Sequence, residues 1–140
     1  MPLVDLDAEI IKAAGMSIPD IFEKEGEAGF RKRESEQVQK YGSIGGHVLV
    51  TGGGAVKDPM NRKYLRMNGF VAHITRDLDK LPMEGRPLSQ SREALAKMWQ
   101  ERRPMYEACR DAHFANDNTI EACVQTIREA FDEALCAERT

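Results

Sequence analysis

The sequence has 140 residues, of which 41% are hydrophobic, 31% charged and 6% aromatic. This length predicts a single domain over residues 1–140, and the composition excludes disordered, collagen-like and disulfide-rich classes. The formal net charge of -3 is too small to draw the protein to nucleic acid or an anionic membrane, so we expect neither as a partner.

Short apolar runs alternate with amphipathic segments along the chain, which predicts a layered α/β fold. Four of the apolar runs are predicted strands: Pro2–Val4, His47–Thr51, Phe70–Ile74 and Ala112–Ala115. A helix is predicted from Ala8, and a longer one over Ile18–Tyr41, capped by Ser17 and bent near Gly26.

Three more helices are predicted after the second strand. The first begins with Asp58 as N-cap and Pro59, and a left-handed Gly69 ends it. The second begins near Ser91 and is disturbed at Pro104. The third begins at Asn118 or Thr119, with five buried side chains: Cys123, Ile127, Ala130, Phe131 and Leu135. Residues 81–90 are rich in Pro, Gly and Ser and predict an exposed loop.

The cysteines and the N-terminal residues suggest a cellular compartment. Cys109, Cys123 and Cys136 are odd in number and contain no CxxC pair, which argues against a disulfide framework. The N-terminus has no signal-peptide pattern, and no run of about 18 apolar residues occurs. We expect a cytoplasmic protein that neither crosses a membrane nor is exported.

Three consecutive glycines, Gly52, Gly53 and Gly54, follow the second predicted strand. Such a segment lets the backbone turn tightly and approach a ligand, with free N–H groups for an anion. A plain strand-to-helix turn explains the same pattern equally well.

Asp5 and Asp7 follow the first predicted strand at i and i+2, so in an extended chain both side chains point the same way. One could hold a hydrated Mg²⁺ while the other accepts hydrogen bonds from a substrate hydroxyl. The alternative, which the local pattern favours, is that one of them caps the following helix.

Charged side chains recur at three further places. Arg31 and Glu34 share one helix face, whereas Arg86 lies in the predicted loop and Arg102 precedes Pro104. Surface ion pairs explain such charges in most helices, and the acidic Glu23–Glu27 segment predicts a solvated face. Arginines that converge on one cleft would instead bind a carboxylate or a phosphate.

Taken in order, these residues resemble the shikimate kinase family. The matching segments span nearly the whole chain: Asp5-Leu6-Asp7, Gly15-Met16-Ser17-Ile18, Gly26-Glu27 with Phe30-Arg31 and Glu34, Gly52-Gly53-Gly54-Ala55, Arg86-Pro87-Leu88, and Arg102 with Pro104 and Tyr106. The resemblance implies a P-loop kinase fold with a parallel sheet flanked by helices. It also implies ATP-dependent phosphorylation of the shikimate 3-hydroxyl, a step in the biosynthesis of chorismate and the aromatic amino acids.

The resemblance also implies a role for each matching residue. Asp7 would bind the shikimate hydroxyls and serve as the catalytic base, and Asp5 would hold Mg²⁺ through water. Arg31, oriented by Glu34, and Arg102 would bind the shikimate carboxylate. Contacts to substrate through the backbone would come from two glycines, Gly53 and Gly54. In a lid over residues 82–90, Arg86 would reach the transferred phosphate of ATP and act in catalysis.

No G-x-x-x-x-G-K-[ST] motif occurs among the 140 residues. The family places that phosphate loop, with the central strand before it, ahead of the segment that here starts at Met1, and the two with part of a helix occupy about 30 residues. We therefore expect a sheet without its central strand and an activity that is impaired in this chain as given. We expect either that the two halves of the sheet close on each other, or that a homodimer or strand exchange fills the gap.

Two other functions fit the same residues. One is a non-catalytic module that binds shikimate or another anion for regulation. The other is a different small-molecule kinase of the same superfamily, which the combination of Arg31, Arg102 and the triple glycine disfavours.

Overall fold

The computed structural model describes residues 1–76 and 91–138, which belong to two compact units, Met1–Gly69 and Phe70–Thr140. Each unit combines one pair of parallel strands with helices, so the predicted α/β class is confirmed. The predicted lid over residues 82–90 lies outside the described residues. The expectation of a single domain stays a prediction.

The first unit is built on strands β1 (Leu3–Asp5) and β2 (Val48–Val50), which pair in parallel with Leu3 opposite Val48. Helices α1 (Leu6–Ala14) and α2 (Ile18–Gly42) connect the two strands. The helices pack on each other through a core of buried apolar side chains: Leu6, Ile10, Ile21, Phe30, Val38 and Ala55. A short 3-10 helix (Gly53–Lys57) and α3 (Pro59–Met67) follow β2.

Helix α1 begins at Leu6, directly after β1, rather than at Ala8. Asp5 caps it, because Asp5 Oδ1 accepts hydrogen bonds from the backbone N–H of Asp7 at 3.0 Å and of Ala8 at 3.4 Å. The capping alternative is therefore confirmed. The prediction that Asp5 and Asp7 project together from an extended strand is wrong, because Asp7 already lies in the first helical turn.

The predicted bend of α2 is confirmed at Gly26, whose backbone has φ 70° and ψ -176°. Residues that carry a side chain rarely adopt this backbone conformation, so glycine suits the break. Phe22 and Phe30 pack across it with ring centroids 4.8 Å apart. Glu25 before the break and Arg33 after it form an ion pair at 2.9 Å, and we call this pair the clasp.

Asp58 caps α3 as predicted, since Asp58 Oδ1 accepts the backbone N–H of Met60 at 2.8 Å. The predicted left-handed cap at Gly69 is wrong. Helix α3 instead ends at Met67 and is followed by Asn68, which has a φ of -131°. The side-chain amide of Asn68 donates to the carbonyl of Ser43 at 3.0 Å. This contact with the end of α2 replaces the local cap that the sequence suggested.

The second unit contains parallel strands β3 (Ala72–Thr75) and β4 (Ala112–Ala115), with α4 (Arg92–Cys109) between them and α5 (Ile120–Glu138) after β4. Helix α4 continues through Pro104, so the predicted disturbance there does not end it. On α5, Cys123 is buried as predicted, but Leu135 is 40% exposed and the prediction that it is buried is wrong.

Three aromatic rings surround the side chain of His73 on β3. His73 stacks on Trp99 and on Tyr106 of α4, and its ring centroid lies 5.4 Å from that of His113 on the neighbouring strand. Arg110 Nη1 donates to His73 Nδ1 at 3.2 Å, which requires a lone pair on that nitrogen. Burial, together with the charges of His113 and Arg110, lowers the pKa of His73 to about 4.

The described strands form two separate sheets of two strands each, β1–β2 and β3–β4. Within residues 1–76 and 91–138, no helix is both long enough and apolar enough to cross a membrane.

Candidate active site

Arg31 lies on α2 just after the bend, where its Nη1 donates to Glu34 Oε1 at 2.9 Å. The Glu34 side chain is almost completely buried, and a buried carboxylate needs a cationic partner to remain charged. The predicted meeting of Arg31 and Glu34 on one helix face is confirmed. The pair holds the guanidinium in a defined orientation.

The guanidinium of Arg31 also lies directly against Gly54. A Cβ atom at Gly54 would overlap the guanidinium, so any side chain at this position would displace Arg31. All three glycines of the triple-glycine segment have a negative φ, which means that a tight left-handed turn does not explain them. The requirement for glycine at position 54 is this close approach.

Asp7 approaches the start of the same glycine segment from α1. A Cβ atom at Gly52 would lie 3.9 Å from Asp7 Oδ1 and 4.0 Å from Glu34 Oε2. Asp7 is half-buried, and burial, followed by the charge of nearby Asp5, raises the pKa of its carboxyl group. A raised pKa makes the ionised carboxylate a stronger base than an ordinary aspartate.

The structure adds two charged side chains to this site, Glu27 and Lys57. Glu27 Oε1 contacts Lys57 Nζ at 3.0 Å and Arg31 Nε at 3.4 Å. Lys57 ends the 3-10 helix that the glycine segment begins, so the ion pair ties that segment to α2. The Lys57 ammonium is the main cause of the lowered pKa of Glu27.

The glycine segment is fixed at its far end by side chains of α3. The buried Asn61 donates from Nδ2 to the carbonyl of Ala55 at 3.0 Å, and Arg62 Nη1 donates to the carbonyl of Val56 at 2.6 Å.

A cavity of about 290 Å³ lies between α2, the 3-10 helix and the start of α3. Its lining residues are Arg31, Glu34, Ser35, Gly54, Lys57, Asp58 and Asn61.

Six of the predicted site residues therefore lie in the first unit: Asp5, Asp7, Arg31, Glu34, Gly53 and Gly54. Arg102 lies on α4 of the second unit, so its convergence with Arg31 stays a prediction. Arg86 lies outside the described residues, and so does its predicted role in the lid.

Asp5 fits the role of holding a hydrated Mg²⁺. Its Oδ1 makes both capping hydrogen bonds, so the cap does not need the second carboxylate oxygen of this exposed residue. A hydrated Mg²⁺ commonly binds through one or two carboxylates and keeps several of its waters. The capping role and the metal role are thus compatible.

A family model for shikimate kinase matches residues 1–132. The chain belongs to the shikimate kinase family. A shikimate kinase of Thiobacillus denitrificans is 43% identical over 115 residues, which cover 76% of this chain and 63% of that protein. A shikimate kinase of Coxiella burnetii is 37% identical over 126 residues, or 83% of this chain and 70% of the relative. The matched part thus spans about two thirds of the length of these relatives.

Solved shikimate kinases confirm the fold. The enzyme of Acinetobacter baumannii in complex with shikimate superposes with a TM-score of 0.82 at 29% identity, covering 99% of this chain and 81% of that one. The enzyme of Aquifex aeolicus gives a TM-score of 0.80, also at 29% identity, covering 97% and 83%. The family implies ATP as co-substrate and, in general, Mg²⁺.

Proposed function

We propose that this chain carries the shikimate-binding part of a cytoplasmic kinase that transfers the γ-phosphoryl group of ATP to the 3-hydroxyl of shikimate. The observation that carries the proposal is the Arg31 guanidinium, held by buried Glu34 against Gly54 and close to the Asp7 carboxylate at Gly52. The Arg31 guanidinium can bind the carboxylate of a hydroxylated carboxylic acid, and the Asp7 carboxylate can accept hydrogen bonds from its hydroxyls. The backbone at Gly54 is close enough to contact the same ligand. A solved relative of the same family binds shikimate.

In this proposal Arg31 and Arg102 bind the shikimate carboxylate through charge-assisted hydrogen bonds. Glu34 orients Arg31, and the backbone of Gly53 and Gly54 contacts the ring. Asp7 accepts hydrogen bonds from the hydroxyls, and the raised pKa of its carboxyl group makes it a stronger base than an ordinary aspartate.

The proposed transfer needs little covalent chemistry from the protein. The 3-hydroxyl oxygen attacks the γ-phosphorus, the bond from that phosphorus to the bridging oxygen breaks, and ADP leaves. The hydroxyl proton passes to Asp7, while Arg86 neutralises charge on the transferred group. Mg²⁺ held by Asp5 through water would supply further neutralisation of phosphate charge when bound.

Calorimetric titration of the 140-residue chain with shikimate tests the proposal. We expect weak binding that Arg31→Ala reduces at least about tenfold, since a charge-assisted hydrogen bond is worth about 1.5 to 3 kcal/mol. Lys32→Ala, which removes a positive charge from the adjacent exposed position of α2, is the matched control and should bind normally.

Equal affinity in wild type, Arg31→Ala and Lys32→Ala would remove Arg31 from the site. A coupled assay of ADP release then separates the two remaining functions. Shikimate-dependent release by this chain supports the kinase. Shikimate binding without phosphoryl transfer favours the non-catalytic module only if the same chain, joined to a segment that carries the G-x-x-x-x-G-K-[ST] motif, also releases no ADP.

A further inference from the structure

Glu27 divides one carboxylate oxygen between two cations. Its Oε1 lies 3.0 Å from Lys57 Nζ, but 3.4 Å from Arg31 Nε and 3.5 Å from Arg31 Nη2. The short contact of Arg31 is instead with Glu34, at 2.9 Å from Nη1. Glu27 is thus bound more tightly to Lys57 than to Arg31.

The two loose contacts occupy the Nε and Nη2 edge of the guanidinium. That edge carries two parallel N–H donors, which is the geometry that binds a carboxylate in bidentate fashion. A Glu27 that closed fully onto this edge would compete directly with an anionic ligand for the same donors. Lys57, held in place on the 3-10 helix, keeps Glu27 drawn toward itself.

We infer that Lys57 is a positioning residue, which draws Glu27 away from the Nε and Nη2 edge of Arg31 and so keeps that edge available to the carboxylate of the ligand. This inference deepens the proposed function and rests on it. Lys57 acts through Glu27 and is not assigned a contact with substrate.

Shikimate titrations of three variants test the inference. Lys57→Met should weaken shikimate binding about two- to fivefold, the range expected for partly exposed ion pairs. Lys57→Arg should restore the affinity because it keeps a cation within reach of Glu27. Lys63→Met removes a positive charge from exposed α3 and, as the matched control, should leave binding unchanged.

The decisive comparison repeats Lys57→Met in a Glu27→Gln background. If Lys57 acts through Glu27, its loss should have no further effect once the competing carboxylate is gone. An equal loss of affinity in both backgrounds would show that Lys57 attracts the anion directly, and would overturn the inference. Thermal unfolding of each variant identifies any that are poorly folded.

A second measurement does not depend on shikimate. In ¹⁵N-edited spectra, the Arg31 Nε–H proton should exchange more slowly with water in Lys57→Met than in wild type, because Glu27 closes onto it. Absence of shikimate binding by the wild-type chain would count against the proposed function, and Nε–H exchange then decides the inference alone. Unchanged exchange would contradict it.

Discussion

Two features of its surroundings, burial and the nearby charge of Asp5, destabilise the ionised carboxylate of Asp7. Its carboxyl group is half-buried, and Asp5 places a second carboxylate at the same end of β1. Both effects favour the protonated form and therefore raise the pKa of Asp7. The contribution of Asp5 can be removed separately, because its capping role needs only a side-chain oxygen.

We predict that Asp5→Asn lowers the pKa of Asp7 but leaves it above the ordinary aspartate value. The substitution removes the repulsive charge, keeps an oxygen to cap α1 and leaves the burial of Asp7 unchanged. A ¹³C titration of the side-chain carboxyl groups measures the shift directly.

Asp5→Ala is the matched variant for this titration. It should shift the pKa of Asp7 in the same direction, but it should also destabilise the chain by about 0.5 to 2 kcal/mol through loss of the cap. A pKa of Asp7 that stays constant or rises in Asp5→Asn would show that Asp5 does not influence it.

Spacing within one helix was enough to predict the Arg31–Glu34 pair, because residues three apart on a helix are neighbours. The same rule also places Glu27 beside Arg31. The prediction that the acidic Glu23–Glu27 segment is a solvated face agrees with its exposed glutamates, but it does not anticipate this contact. No spacing rule in the sequence predicts the contact between Lys57 and Glu27. It joins α2 to the 3-10 helix, and only the fold brings these elements together.

The bend in α2 is the element on which the position of the site depends. Arg31 lies after the break at Gly26, whereas Ile21 anchors the first half of the helix in the core. Two glycines, Gly26 and Gly29, permit this bend. Gly26 adopts the non-helical backbone conformation, and Gly29 leaves room for the Glu25 side chain, which a Cβ at position 29 would overlap. The clasp then lowers the pKa of Glu25 and connects the two halves.

We predict that Gly26→Ala lowers the free energy of unfolding by about 1 to 3 kcal/mol, since its backbone conformation is essentially restricted to glycine. Chemical denaturation measures the change. Gly15→Ala is the comparison: Gly15 ends α1 with φ 69° and ψ 20°, the left-handed helical region. That region costs a side chain about 1 to 2 kcal/mol.

A Gly26→Ala variant as stable as wild type would mean that α2 can straighten at no cost. In that case the shikimate affinity of the variant should fall, because Arg31 would leave Gly54. Unchanged stability together with unchanged affinity would contradict the importance assigned to the bend.

At the level of elements, sequence patterns succeeded where the local chemistry is unambiguous. Ser17 and Asp58 cap their helices as predicted, and β4 has the predicted bounds, Ala112–Ala115. They failed where a distant contact decides. Asn68 donates to the end of α2, and Gly69 does not cap α3. The contact between the His73 and His113 rings has no signal in the sequence, because it depends on the register of β3 with β4.

Across the whole molecule, each of the four described strands has one strand partner. Every strand therefore has one edge without a strand partner among residues 1–76 and 91–138, and unpaired N–H and C=O groups favour association with another chain. We predict that the 140-residue chain forms a homodimer or exchanges strands, detectable as a mass that rises with concentration in light scattering. A monomer at every concentration would contradict this.

The pairing of β1 with β2 also determines when the site can form during folding. Asp7 follows β1 and the glycine segment follows β2, but α1 and α2 lie between these strands in the chain. Helices form from local contacts within microseconds, whereas parallel pairing across so long a connection is slow. In a refolding experiment, helical circular dichroism should therefore return first, and the ability to bind shikimate should appear only with the slowest phase.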